Sequence, residues 1–292
     1  MKKLLTILFT LVIITSVFTG CSKVKELTFS PYIQSGDISV VSFNCAAPWG
    51  NLLDGTSSGA RVKRFAAYMN AVRPDSIGTQ EMNSDWMKKL ADLMSDYDSY
   101  GVQRGGDENE KKSEMNSIFW LKGKYECIEQ NTFWLSETPD TESKYEGAGC
   151  NRVCSYVMLK NKKTEQIYLH MNTHLDNASD EARVFGAQVI KDKIAQLKAD
   201  YQYDFKIVLT GDFNDIESGN PCSTISEILT SCSTVSPENK KSTYTDWGNL
   251  ENTGNPIDFI FTDAAPASYL ILDDTTNGFV SDHYGVFATI KF

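Results

Sequence analysis

Histidine is scarce in this sequence, since the 292 residues include only three. Motifs of covalent catalysis are also missing: no serine lies in a Gly-x-Ser-x-Gly elbow, and the cysteines lack a clear histidine partner. The cysteine spacings do not fit a zinc site such as Cys-x₂-Cys. A covalent nucleophile and a thiolate zinc centre are therefore disfavoured.

Basic residues are few relative to acidic ones. Lysine and arginine total 28 against 38 aspartates and glutamates, and the formal net charge is −10. Proteins that grip nucleic acid broadly need a basic face, so nucleic acid is not a favoured partner. A small phosphate-containing substrate, held by a metal ion and a few hydrogen-bond donors, is compatible with this charge.

Long apolar runs are limited to the N-terminus, where Lys2 and Lys3 precede LLTILFTLVIITSVF. This run is too short and too N-terminal for a spanning helix and is typical of a secretory signal. It ends in FTGC, which resembles the bacterial lipoprotein box with Cys21 as the lipidated residue, although Phe18 stands where the box usually has leucine.

This pattern predicts three segments: a signal peptide at 1–20, a tether at 21–36 and one folded domain at 37–292. The protein is then expected in the bacterial cell envelope, lipid-anchored in the periplasm or at the cell surface, with a secreted form as the alternative. Its membrane contact would be the lipid anchor at Cys21 alone, and we expect a monomer.

Six cysteines follow Cys21, at positions 45, 127, 150, 154, 222 and 232. Export to an oxidising space permits disulfides, and Cys150 with Cys154, or Cys222 with Cys232, are candidate loop pairs. Cys45 lies in a strand-like run, where a small buried hydrophobic residue is expected.

Hydrophobic periodicity indicates many strands and a few helices. Apolar residues recur at helical spacing over 62–72, where Ser57 or Ser58 would cap the helix and Pro74 would stop it. A second helix is predicted over SDWMKKLADLM and a long third one over 182–197. Stretches such as NSIFWL, RVCSYVMLK and KIVLTGDFND are typical of strands. The pattern suggests two sheets packed face to face with helices outside.

Several predicted strands end in a polar residue that is able to bind metal or phosphate. In LTGDFND, Asp212 and Asn214 follow an apolar run and, being two residues apart on a strand, point to one face. Each instance alone is typical of a turn. Together they suggest one shared site where strand ends converge, formed by Asn44, Glu81, His174, Asp212, Asn214, Asp258, Asp282 and His283.

Carboxylate and amide oxygens at these positions suit hard cations. Mg²⁺ or Mn²⁺ is the expected cofactor, with Ca²⁺ as a further option. Glu81 and Asp282 would supply the carboxylates, with Asn44 beside them. The metal would neutralise phosphate charge and stabilise the leaving oxygen. Whether one or two ions bind is left open.

Two residues are candidates for the base that activates water. His283 has a suitable reference pKa of about 6.5, and Asp258 would fix its tautomer and support its charge. Asp212 is the alternative, since it could orient or deprotonate the water. The remaining polar residues, Asn214 and His174, would donate hydrogen bonds to the phosphate oxygens as charge develops.

The polar strand ends form an ordered set of short motifs. They are SFN at 42–44, TQE at 79–81, NTHLD at 172–176, GDFN at 211–214, IDFIF at 257–261 and SDH at 281–283. Each motif is weak alone, but the ordered set resembles the endonuclease/exonuclease/phosphatase superfamily of metal-dependent phosphoesterases. The resemblance runs from about residue 37 to the C-terminus.

The resemblance implies a four-layer α/β sandwich: two mostly antiparallel sheets packed face to face, helices outside, and the site at the strand ends. It implies roles that match the chemistry above. Asn44, Glu81 and Asp282 would lie near the metal, and Asp212 with Asn214 at the nucleophile and phosphate. His174 would contact the phosphate, and Asp258 with His283 would form a polarised pair.

Two further stretches, FWLSETPD at 133–140 and EMNSIFW at 114–120, resemble an exported bacterial branch of this superfamily. By that resemblance Arg152 and Glu114 would lie near the pocket. Arg152 could bind a phosphate or hold a loop, and Glu114 could support the metal ligands from behind.

These observations predict a metal-dependent hydrolase of phosphate esters that acts outside the cytoplasm by in-line attack of an activated water. Its substrate is expected to be a small phosphorylated molecule or an exposed phosphodiester, and the choice between monoester and diester is open. A nuclease is the first alternative hypothesis. A lipoprotein that binds ligands without turnover is the second.

Overall fold

Two six-stranded β-sheets form the centre of the protein in a computed structural model that describes residues 37–46, 57–105, 113–238, 241–250 and 254–292. The predicted signal peptide and tether, including Cys21, lie outside these residues. The strands are β1 Ile38–Asn44, β2 Ser76–Met82, β3 Tyr97–Tyr100, β4 Met115–Leu121, β5 Tyr125–Trp134, β6 Val153–Asn161, β7 Ile167–His174, β8 Lys206–Asp212, β9 Thr230–Ser231, β10 Asp258–Thr262, β11 Ala265–Leu272 and β12 Gly285–Lys291. The helices are α1 Ser58–Val72, α2 Ser84–Leu93, α3 Asp180–Asp200 and α4 Asn220–Ser226.

The strand order is β11-β12-β1-β2-β4-β3 in one sheet and β5-β6-β7-β8-β10-β9 in the other. Each sheet contains one parallel pair, β1 with β2 and β7 with β8, and its other pairs are antiparallel. Three apolar clusters lie between α1/α2 and the first sheet, between the two sheets, and between the second sheet and α3/α4. Three cores between layers give four layers, so the predicted α/β sandwich is confirmed.

Helix α1 begins and ends close to where its periodicity predicts. Ser57 is its N-cap residue, but the side chain makes no capping hydrogen bond, and the helix ends as Arg73 takes a left-handed conformation with φ 51°. Helix α3 is one turn longer than its apolar stripe, because Ser179 caps it by accepting from the Ala182 N–H. Strand β3 and helix α4 had no prediction, since four and seven residues are too few to show a period.

The interface between the sheets contains a buried hydrogen-bonded network. His170 Nδ1 lies 2.8 Å from Ser76 Oγ of the opposite sheet, and its Nε2 lies 2.9 Å from Thr210 Oγ1. Gln80 Nε2 donates across the interface to Asn172 Oδ1 at 2.6 Å. Burial lowers the pKa of His170 to about 3, so this histidine stays neutral and structural.

The two sheets approach each other closely at Gly78 of β2. A Cβ atom at this position would overlap Thr210 Oγ1 and lie 2.7 Å from Asn172 Oδ1. Glycine is therefore required here by space, because any side chain would push the two sheets apart.

The topology brings the polar strand ends to one edge of the sandwich. Strands β7 and β8 are parallel, so His174 is paired with Asp212 at their carboxyl ends. Strand β10 is antiparallel to β8 and starts at the same edge, with Asp258 opposite Asp212. Strand β12 is antiparallel to β1 and follows His283 directly. The convergence predicted from the sequence is thus a product of strand direction.

Neither candidate disulfide is formed, because all six cysteines in the described part of the chain are free thiols. Cys154 is fully buried in strand β6. Cys222 belongs to the core under α3 and α4, whereas Cys232 belongs to the core between the sheets. The loop pairings failed because Cys154, Cys222 and Cys232 are core residues, whereas Cys150 is partly exposed. Among the described residues, no helix is long and apolar enough to cross a membrane.

Candidate active site

A polar cavity of about 370 Å³ opens at the edge where the strand ends converge. It is lined by Glu81, Arg104, Glu114, Cys150, Arg152, His174, Asn177, Asp212, Asn214, Tyr244, Ile257, Asp282 and His283. All predicted site residues are on this list except Asn44 and Asp258. Those two are fully buried and hydrogen-bonded to lining residues. The structure therefore brings the whole predicted set together.

Asp212 lies at the centre of the cluster and is almost fully buried. Its Oδ2 accepts a hydrogen bond from Asn44 Nδ2 at 2.9 Å and lies 3.6 Å from His174 Nε2 and 3.8 Å from His283 Nε2. Its Oδ1 accepts from the Asn214 N–H at 2.8 Å. Burial, helped by the negative charge of Asp258, raises the pKa of Asp212 to about 7. This carboxyl group can accept a proton at neutral pH.

His283 and Asp258 form the polarised pair. His283 Nδ1 lies 2.9 Å from Asp258 Oδ2, in a site that is closed to solvent. Burial alone would lower the pKa of His283, but the adjacent Asp258 carboxylate outweighs it and raises the pKa to about 10. In the metal-free protein this imidazole therefore carries a proton at neutral pH.

Asn44 orients the carboxylates around it. Its Oδ1 accepts from the Ala46 N–H at 2.9 Å, which identifies the oxygen end of the amide. Its Nδ2 then donates to Glu81 Oε1 at 3.1 Å and to Asp212 Oδ2 at 2.9 Å. The nitrogen end of Asn44, and not the oxygen predicted to lie near a metal, faces the acidic groups.

Left-handed backbone recurs at this edge. Ala46, Glu81 and Asn214 have φ values of 49°, 57° and 50°, a region that non-glycine residues rarely adopt. The register of β2 against β4 is irregular between Thr79 and Met82, so Glu81 sits in a bulge that re-aims its side chain. Such strain persists where the surrounding structure holds a functional geometry.

Asn214 is held by two main-chain contacts. Its N–H donates to Asp212, and its Nδ2 donates to the Leu175 carbonyl at 3.0 Å. One amide hydrogen of Asn214 is thus already used for holding the loop.

The donor set fits a divalent cation. Burial raises the pKa of Asp282, and the negative charge of Glu81 raises it further. Two partly buried carboxylates crowded in this way favour a bound cation, which would add positive charge beside them. Asp212, Asp258 and His283 also offer ligand atoms within 4.8 Å of one another, a grouping different from the predicted Asn44, Glu81 and Asp282.

Arg152 and Glu114 both border the cavity. Arg152 Nε lies 3.3 Å from Asp176 Oδ2 and its Nη2 donates to Asn177 Oδ1 at 2.9 Å. Its Nη1 is buried without a hydrogen-bond partner among the described residues. Glu114 Oε2 lies 2.8 Å from Arg104 Nη1, so this carboxylate serves an ion pair with an arginine.

Arg104 and Tyr244 are among the lining residues that the sequence does not predict. Arg104 precedes a glycine pair in a loop with no periodic or motif signal. Tyr244 packs its ring 5.1 Å from the ring of His283 and remains 37% exposed. A lone tyrosine in a polar stretch, 39 residues before the histidine that it contacts, carries no sequence signal of that contact.

A larger cavity of about 630 Å³ lies around the turns that follow β4 and β6. It is lined by Arg73, Asp96, Leu121, Lys122, Gly123, Lys124, Asn161, Lys162 and Lys163. No predicted site residue lines it, and it lies at the opposite end of β7 from His174.

Solved structures share this fold across almost the whole described chain. A mannosyl-6-phosphatase from Bacteroides thetaiotaomicron matches with a TM-score of 0.78 and 28% identity, over 87% of this chain and 100% of that one. An endonuclease/exonuclease/phosphatase family protein from the same species matches with a TM-score of 0.76 and 28% identity, over 86% and 96%. One from Bacteroides vulgatus matches with a TM-score of 0.75 and 26% identity, over 87% and 98%.

No protein-family profile matches the chain, and neither does any curated protein. The fold nevertheless agrees with those structural neighbours, as the ordered motifs predict. The chain therefore has the fold of structures from the endonuclease/exonuclease/phosphatase superfamily, which it resembles at 26–28% identity.

Proposed function

We propose that the protein is a divalent-metal-dependent phosphoesterase that hydrolyses a small phosphorylated molecule outside the cytoplasm. One observation carries the proposal: the buried Asp212 carboxylate lies within 4 Å of both His174 and His283, and Asp258 backs the second histidine. A base and two phosphate-binding donors converge there on one cavity.

Asp212 is the base in this proposal. Its pKa of about 7 suits proton transfer near neutral pH. His283 is already protonated there because Asp258 raises its pKa, so it is unable to accept a second proton. In the reaction, the water oxygen forms a bond to phosphorus and its proton passes to Asp212 Oδ2. The bond from phosphorus to the leaving oxygen breaks, and the leaving oxygen departs with the electron pair and takes up a proton from solvent.

The two histidines then hold the phosphate. His283 is cationic and would stabilise charge that develops on a phosphate oxygen. Burial, together with the positive charges of Arg152 and Arg104, lowers the pKa of His174 well below its usual value. His174 is therefore neutral and contributes one N–H. Asn214 offers its second amide hydrogen to the same group.

Glu81 and Asp282 would hold the metal, with Asn44 keeping Glu81 and Asp212 in position. Mg²⁺ or Mn²⁺ is the proposed ion, with Ca²⁺ as a further option. When bound, such an ion supplies Lewis-acid stabilisation of the phosphate and of the leaving oxygen. Carboxylates with open positions for water and phosphate are the usual protein contribution to a magnesium site.

A phosphorylated sugar is the first substrate to test. The neighbour from Bacteroides thetaiotaomicron at 28% identity is a mannosyl-6-phosphatase. The cavity of about 370 Å³ is small and polar, which suits a hydrophilic molecule better than a lipid. Arg152 would bind a phosphate oxygen through its unpartnered Nη1.

The cellular setting follows from the N-terminus. We propose export to the bacterial cell envelope and a lipid anchor at Cys21, with the folded domain acting as a monomer. Radiolabelled palmitate incorporation, compared between the parent and Cys21→Ala, tests this setting, and a parent that takes up no label would overturn it.

The activity is tested on a panel of mannose 6-phosphate, p-nitrophenyl phosphate, bis-p-nitrophenyl phosphate, inositol phosphates, nucleotides, sphingomyelin, DNA and RNA. Each is assayed with Mg²⁺, Mn²⁺, Ca²⁺ or EDTA. Asp212→Asn should abolish turnover, whereas Asp215→Asn should retain it, because Asp215 lies in the same loop but borders Arg183. Metal-independent turnover, or full activity in Asp212→Asn, would overturn the proposal.

A further inference from the structure

Arg61 of helix α1 is one of the largest fully buried side chains, with only 1% exposure. Its guanidinium carbon lies 5.1 Å from the centre of the Trp86 ring and 5.2 Å from that of Trp247. Arginine is almost never buried to this degree unless it is paired. The two indole rings contact the faces of the guanidinium group, and the nitrogen atoms at its edges form hydrogen bonds.

The edges of Arg61 bind main-chain carbonyls on two separate segments. Nη1 donates to the Cys45 carbonyl at 2.7 Å and to the Val280 carbonyl at 3.2 Å, and Nη2 donates to the Ala46 carbonyl at 2.9 Å. The first segment follows Asn44 directly. The second precedes Asp282 and His283. One side chain therefore ties together the two chain segments that carry the metal-side residues.

The segment that follows Asn44 connects Arg61 to the acidic cluster in two steps. Arg61 holds the Ala46 carbonyl, and the Ala46 N–H holds Asn44 Oδ1. Asn44 Nδ2 then donates to Glu81 Oε1 and Asp212 Oδ2. A shift of the turn at Ala46 would thus rotate the amide that fixes both carboxylates.

The segment that precedes Asp282 and His283 is held from the other side by the segment that contains Trp247. Thr245 N–H and Oγ1 both donate to the Asp282 carbonyl, at 2.7 and 2.8 Å. Asp246 and Trp247 have left-handed φ values of 46° and 58°, and this strained turn places the Trp247 ring against Arg61. The 280–282 segment is therefore held at Val280 by Arg61 and at Asp282 by Thr245.

Charge supports the same role. Both Glu81 and Asp282 attract the Arg61 guanidinium electrostatically. The planar fork of arginine reaches three carbonyls at once, which the point charge of lysine is unable to do with the same geometry.

We propose that Arg61 is a positioning residue of the metal centre, which sets the geometry of Glu81 and Asp282 through the 44–46 turn and the 280–282 segment. This inference rests on the proposed function. Residues that orient metal ligands from behind typically change metal affinity or activity by about 10–100-fold when they are replaced.

The test measures Mn²⁺ binding by electron paramagnetic resonance, together with thermal unfolding, for the parent, Arg61→Lys and Arg61→Met. Arg61→Lys keeps the charge and guards against a variant that fails to fold. Arg64→Met is the matched control, because Arg64 lies one turn along α1 and donates to the neighbouring Phe279 carbonyl at 3.0 Å. It makes no such bond to the 44–46 turn.

We expect Arg61→Lys to stay folded and to bind Mn²⁺ about tenfold more weakly than the parent, with no loss in Arg64→Met. Combining Arg61→Lys with Asn44→Ala should cost less affinity than the sum of the two single losses, because both act through one turn. Unchanged Mn²⁺ affinity in Arg61→Lys, or an equal loss in Arg64→Met, would overturn the inference. A parent that binds Mn²⁺ but hydrolyses no phosphoester overturns only the proposed function, and a parent that binds no Mn²⁺ overturns both.

Discussion

His283 Nδ1 lies 2.9 Å from Asp258 Oδ2, and the two side chains are 7% and 0% exposed. Asp258 starts β10 and His283 precedes β12, so the pair joins the two sheets at the edge of the cavity. In this buried pair the carboxylate raises the pKa of the imidazole, which is why we propose Asp212 as the group that accepts the proton from water.

Replacing Asp258 by asparagine tests this division of roles. Asparagine keeps the shape but removes the charge that raises the pKa of His283, so the imidazole should become neutral near pH 7. We expect kcat to fall by about 10–100-fold. The measurement is the pH profile of kcat, whose alkaline limb should move from near pH 10 to a lower pH in Asp258→Asn. A variant with the profile of the parent would contradict the assignment.

The same pair predicts how stability depends on pH in EDTA. The folded state raises the pKa of His283 from 6.5 to about 10, so folded protein retains a proton that unfolded protein releases. This contribution is complete below pH 6.5 and is lost as the pH rises toward 10.

We therefore expect the free energy of unfolding to decrease from pH 7 to pH 9, by up to about 1.4 kcal/mol per pH unit. Urea unfolding at several pH values measures it. The free energy of unfolding of His283→Gln should decrease less steeply with pH, since the other titratable groups are the same in both proteins. Equal slopes in the two proteins would show that His283 does not titrate as stated.

The close contacts of Gly78 predict a change in stability that arises from steric overlap alone. Gly78→Ala forces a methyl group into Thr210 and Asn172 between the sheets, and should lower the free energy of unfolding by about 1–3 kcal/mol. Gly59→Ala is the control, because no atom lies within 4 Å of the position that the alanine Cβ would take on helix α1. That change should stabilise the protein by about 0.4–1 kcal/mol. Urea midpoints moving in the same direction for both variants would refute the close approach.

Arg152 and Glu114 are predicted to act on the substrate and not on the metal. Glu114 pairs with Arg104, and Arg152 retains an unpartnered buried nitrogen at the cavity. Arg152→Met should raise KM by about tenfold or more, since a charge-assisted hydrogen bond to phosphate is worth about 1.5–3 kcal/mol. Glu114→Gln should raise KM by less.

Neither variant should change the Mg²⁺ concentration that gives half-maximal activity, so titrations of substrate and of metal separate the two roles. A Glu114→Gln variant that needs more Mg²⁺ would restore the hypothesis that Glu114 supports the metal ligands.

The sequence alone predicts the site residues that lie in a recognisable local pattern. Asp212 and Asn214 end an apolar run, and His283 lies in a motif that keeps its place in an ordered series. What it missed depends on contacts between distant segments. Arg61 appears as an ordinary helical arginine until the carbonyls of Cys45 and Val280 are seen around it. The bulge that aims Glu81 has no sequence signal either, because it arises from the register against β4.

The close contact at Gly78 also limits what this scaffold can become. Thr210 and Asn172 lie against it, two residues before Asp212 and His174 on their strands, so the floor of the cavity is closely packed. A deeper pocket would require the sheets to separate and break the hydrogen bonds of Gln80 with Asn172 and of His170 with Ser76. A change in substrate specificity must therefore arise in the loops that surround the opening of the cavity. Relatives of this protein that act on larger molecules are expected to differ in the loops at the rim, while the floor stays the same.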